Sequence, residues 1–199
     1  LTFLYLNLNS INLYFIDGSF DDGLKIIPKI EKELVKFQNR LDIHHTMIFY
    51  YKFASMHFGA GNNKECIFYL KKIIDNKSLL MREDLQCFAR VLNLVAHYEA
   101  GLDYHIETLL KSTYKFLLKI NDLYEVQKEM IKFIRGLQDI YPQDSKSAFV
   151  QLHQTLRGYE NHPYERRAFL YLDILSWLES KIEKKPVGQI IREKYLAKN

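Results

Sequence analysis

Apolar residues recur every three or four positions along almost the whole chain, which is the period of an amphipathic helix. The pattern predicts helices near 2–16, 20–38, 42–60, 63–75, 82–100, 103–119, 123–141, 144–158, 163–183 and 187–197. Pro28 falls inside the second and is expected to kink or interrupt it. Pro142, Pro163 and Pro186 sit where helices should begin or end. Asn62-Asn63 and Ser145 suit helix starts, and Asp84 suits an N-cap or a first turn. The stripe of Phe169, Leu170, Leu172, Ile174, Leu175, Trp177, Leu178 and Ile182 needs a packing partner. It is expected to cap the preceding helices, with 187–197 as a short amphipathic tail.

A second regularity lies above the helical one. His57-Phe58-Gly59-Ala60-Gly61 returns forty residues later as His97-Tyr98-Glu99-Ala100-Gly101. An earlier copy centres on Gly18, and a degenerate fourth fits around Gln143, with Gly136 before it and Ala148 after it. The periods are 43, 40 and 42 residues. Repetition at this length marks helical hairpins that bury their apolar faces on one another. Glycine supplies the tight turn between the two helices without a Cβ penalty. Ala54 and Cys66 are small enough to let the helices of one hairpin approach closely.

The phrase Tyr51-Lys52-Phe53-Ala54, then Ala60-Gly61-Asn62-Asn63-Lys64-Glu65-Cys66, resembles the tetratricopeptide repeat family, as does Ala96-His97-Tyr98-Glu99-Ala100-Gly101. The resemblance covers roughly residues 1–158. The repeats here are longer than the family's unit of about 34 residues, and its usual tryptophan and proline positions are not matched. The resemblance implies an all-α, right-handed superhelical array of antiparallel hairpins over 1–158, with a C-terminal capping helix and short tail helix over 159–199. In that family the first helix of each hairpin lines a concave face. Carried over, the partner-binding residues are Asn9, Asn12, Tyr51, Lys52, Ser55, Phe58, Phe88, Val91, Val95 and Tyr98, continued by Met130, Phe133, Ile134 and Leu137 in the fourth copy. Tyr51, Phe58, Val91 and Tyr98 are expected to be partly exposed there. Only Asn9, Asn12 and Lys52 match in type the residues with which family members clamp a peptide's terminal carboxylate. The implied groove is therefore apolar and aromatic. It either takes an amphipathic helix or peptide, or is filled by the chain itself or by a second copy in a homodimer.

Composition narrows the alternatives. Eight glycines and four prolines are too few for a turn-rich all-β chain, while 14 tyrosines and 13 phenylalanines can fill a long core. A net charge of +4, with both signs interspersed, gives no dedicated nucleic-acid surface. No apolar run is long enough to span a membrane. Cys66 and Cys87 lie in apolar helical surroundings and read as buried thiols of a cytoplasmic protein. His44 and His45 diverge by about 100° on a helix and cannot chelate together. His57 and His97 hold equivalent places near a turn, where helix-end packing or a bond to a carbonyl is expected. No metal-ligand spacing, nucleophile motif or phosphate-cradling loop occurs. The sequence thus predicts a non-enzymatic scaffold for a protein or peptide, without cofactor or metal. A chain that begins at Leu1 also reads as a piece of a longer protein. On that alternative it is a peptide-sensing regulatory domain of a transcriptional regulator or signalling protein.

Overall fold

The computed structural model describes the chain except residues 1, 38, 77–82, 120–123, 142, 172 and 199, and except the side chains of 2, 3, 103, 138, 170 and 171. The expected boundary at Pro142 and Leu172 of the expected capping stripe lie outside the described residues. The described residues form helices α1 (Thr2–Asp17), α2 (Phe20–Lys36), α3 (Ile43–Gly59), α4 (Asn63–Ile74), α5 (Glu83–Glu99), α6 (Asp103–Leu117), α7 (Glu125–Gly136), α8 (Ser145–Arg157), α9 (Arg167–Tyr171), α10 (Ile174–Glu183) and α11 (Val187–Lys198). A 3-10 turn, Leu137–Asp139, follows α7, and no strand occurs among the described residues.

The three glycine turns form where expected. Gly18, Gly61 and Gly101 have φ of 75°, 78° and 65°, a region only glycine enters without strain. At Gly61 the amide donates to the Phe58 carbonyl, and that of Asn62 donates to His57, at 3.0 and 2.8 Å. Gly101 and Leu102 repeat this on Tyr98 and His97. Each pair closes a Schellman cap, which satisfies carbonyls at the helix end and turns the chain back. The Gln143 copy lacks this cap: the 3-10 turn and Asp144 carry the chain into α8.

Two expectations need correction. α2 runs unbroken through Pro28. The ring is exposed, and buried Phe20, Ile27, Ile30 and Leu34 hold the helix on both sides of it. The segment 163–183 is not one helix. Pro163 lies in a turn, α9 is one short stretch, and Asp173 starts α10 afresh. Its carboxylate accepts from the Ser176 amide at 2.9 Å and from the Ser176 hydroxyl at 2.7 Å, so it acts as an N-cap.

The chain falls into two compact units, Leu1–Gln86 with Pro186–Asn199, and Cys87–Lys185. In the first unit α3 packs on α4, α2 and α1, and α1 also packs on α11. Ala54 and Cys66 are fully buried. α11 closes on the first turn at a point that has no room for side chains. A Cβ on Gly18 would lie 2.7 Å from the Gly188 carbonyl oxygen and 2.9 Å from the Arg192 nitrogen. Arg192 also reaches the Asp17 carboxylate at 3.1 Å.

In the second unit α8 packs on α7 and α10. The Trp177 indole N–H of α10 donates to Glu99 Oε1 at 2.7 Å, and Lys181 holds Glu99 Oε2 at 2.9 Å. Phe149 of α8 meets the Trp177 ring edge-on at 5.7 Å. The buried Glu165 carboxylate accepts from the Val126 amide at 3.2 Å, placing negative charge at the N-terminus of α7.

Candidate binding surfaces

Within the first unit the expected concave set divides sharply. Asn9 is exposed, and Asn12 and Lys52 are half-buried. Tyr51, Ser55 and Phe58 are buried, with Tyr51 only 2% exposed. The Ser55 hydroxyl donates back to the Tyr51 carbonyl, 2.9 Å away. Lys52 lies 5.9 Å from the centroid of Phe15, and burial lowers the pKa of its ammonium.

The second unit repeats the division. Phe88, Val91 and Val95 are buried, and Phe88 stacks on Tyr124 at 5.8 Å. Tyr98 is half-buried, with the Lys181 ammonium 5.7 Å from its ring centroid and Phe149 at 6.4 Å. Met130 and Ile134 are buried as well. The expected partial exposure therefore holds for Tyr98 and fails for Tyr51, Phe58 and Val91. The cause is packing along the middle of these helices. Residues 53–56 of α3 are consecutively buried, as are 85–97 of α5 apart from Arg90. Side chains buried along such stretches belong to the core and cannot wall an open groove.

The histidines at the repeat positions are structural. His97 is buried, with Nδ1 2.7 Å from the Asn93 carbonyl. His57 stacks on Tyr69 at 5.5 Å, and Tyr69 donates to Glu31 at 3.0 Å. Burial lowers the His57 pKa, against smaller opposing effects of Glu65 and Glu31. Among the described residues no group of three His, Cys, Asp or Glu side chains is placed to hold a metal ion. Cys66 and Cys87 are buried, and burial pushes the Cys66 pKa up, away from reactive thiolate. No described helix is long and apolar enough to cross a membrane.

An open cleft lies elsewhere, between α7 and α8 of the second unit. It measures about 460 Å³. Phe133, Ile140 and Leu152 give it an apolar floor, Gly136 and Ala148 leave it room, and Gln151 and Thr155 add polar groups. Glu129 and Lys132 stand on its rim, 3.9 Å apart. Phe133 is held edge-on to Phe149 at 5.0 Å, which fixes its ring. The sequence pointed here only through Phe133, Gly136 and Ala148. The rest of the lining looks like the ordinary solvent face of two helices until those helices are set side by side.

No family model, curated protein or solved structure matches the chain.

Proposed function

We propose that this chain is a non-enzymatic, tetratricopeptide-like scaffold that binds a helical segment of a protein partner. The observation that carries this reading is the α7–α8 cleft of about 460 Å³, lined by Phe133, Ile140 and Leu152 and flanked by one acid and one base. A helix laid along it buries side chains at i, i+3 or i+4 on Phe133, Ile140 and Leu152. A basic residue of the ligand meets Glu129 and an acidic one meets Lys132. The repeat spacing and the two Schellman-capped turns support the repeat architecture. The binding surface differs from the concave set of the family because Tyr51, Ser55, Phe58, Phe88, Val91 and Val95 of that set are core here.

Selection of displayed amphipathic helical peptides on the 199-residue chain tests the reading. Enriched peptides should carry apolar residues at helical spacing flanked by both charges. Truncating an anchor at a binding hot spot costs about 2 kcal/mol, so Phe133→Ala should weaken them by more than tenfold. Ala148→Trp, which fills the cleft from half-exposed ground, should abolish binding while circular dichroism stays unchanged. Peptides that bind Ala148→Trp as well as the parent, or no enrichment at all, would overturn the cleft as the site.

A further inference from the structure

α1 turns an apolar face to solvent. Tyr5, Leu6, Leu13 and Ile16 are 66, 63, 68 and 58% exposed. At 100° per residue they fall with exposed Asn9 on one side of the helix, opposite buried Leu4 and Ile11. The outward faces of α2 and α6 carry charges: α2 presents Asp21, Asp22, Lys25, Lys29 and Lys32, and α6 presents Glu107, Lys111 and Lys115. From Thr2 to Ile16, α1 carries no charged residue at all.

We propose that this face of α1 pairs antiparallel with the same face of a second copy. Three observations favour a copy of itself as occupant. An isologous pair sets every residue of a patch against the same patch, so any charge near the two-fold axis would meet its like. This face has none. Its polar residue, Asn9, sits near the middle of the stripe, where two such amides can hydrogen-bond to each other across the axis and set the register. With Asn9 on the axis, Tyr5 of one protomer faces Leu13 of its partner, and Leu13 faces Tyr5. The area also fits: burying these four side chains removes roughly 500 Å² per copy, about the 1,000 Å² in total at which a specific interface begins. The pairing is therefore at the small, weak end of specific interfaces. It is independent of the α7–α8 cleft.

Sedimentation velocity of the 199-residue chain over about 1–200 μM tests the proposal. The expected result is a monomer–dimer equilibrium in that range. Leu13→Glu puts an acid of each copy into the face and should shift the chain to monomer, with an unchanged helical spectrum. Register is read separately: Asn9→Cys with a mild oxidant should give a disulfide-linked dimer, while Lys29→Cys on the charged face of α2 should not. The native thiols do not compete, since both are buried. A chain that stays monomeric at the highest concentration overturns the proposal and leaves the face to another occupant, such as a different protein or a lipid surface. A dimer unaffected by Leu13→Glu, or one that Asn9→Cys does not link, overturns it equally.

Discussion

Replacing Gly18 by alanine should damage this protein more than the same change at Gly61, although both glycines sit in left-handed turns of the same unit. At Gly61 the added methyl would meet nothing within 4 Å. The cost there is conformational, about 1–2 kcal/mol for forcing a Cβ into the left-handed region, less the few tenths recovered because alanine restricts the unfolded chain. Gly18 carries the same conformational cost and a steric one besides. Its methyl would stand 2.7 Å from the Gly188 oxygen and 2.9 Å from the Arg192 nitrogen. Both are backbone atoms, so no side-chain rotation relieves the clash and α11 must move as a body. Overpacking of this kind costs about 1–3 kcal/mol. The exposed Arg192–Asp17 ion pair adds little to that. The sum for Gly18→Ala is about 2–4.5 kcal/mol, against about 1–1.5 for Gly61→Ala. Urea unfolding followed by far-ultraviolet circular dichroism measures the difference as a shift in midpoint at constant slope. Equal midpoints for the two variants would refute the docking of α11 on the first turn.

Ala54 is fully buried on α3, the helix that packs against α4; Ala54→Phe should lower stability by about 1–3 kcal/mol, and an unchanged thermal unfolding curve would show that the hairpin has room there. The second expectation concerns acid. The His57 pKa is lowered in the folded chain by burial, so the fold favours the neutral ring and the unfolded chain takes the proton first. That contribution is present above the ordinary histidine value of about 6.5 and is lost as pH falls through it, levelling off below the folded pKa. His57→Phe, which keeps an aromatic ring on Tyr69, should flatten the loss of stability between about pH 7.5 and 5.5. A stability difference between the two proteins that does not change with pH would remove His57 from the account.

Helix limits and turns were legible in the sequence because they are local. The apolar period marks α1 to α6, α8 and α11 to within two residues, while α7 stops at Gly136, five short of the expected end, and a glycine that must take positive φ announces its own turn at 18, 61 and 101. Burial of Ala54 and Cys66 follows from the same repeat. Asp173 shows where local reading fails: the apolar stripe continues across it, and only the folded chain shows its carboxylate capping a new helix. Pro28 fails in the opposite sense, since packing on both sides outweighs a local break.

The binding surfaces depend on what covers each face, and sequence cannot see a neighbour. Tyr51, Phe58 and Val91 have the composition of a groove wall and the burial of a core, because neighbouring helices cover these positions of α3 and α5. The exposed stripe of α1 has the composition of a core and faces solvent. Periodicity reports how many faces of a helix are apolar; which of those faces meets protein, water or a partner is settled only when helices distant in sequence, such as α11 on α1, come together.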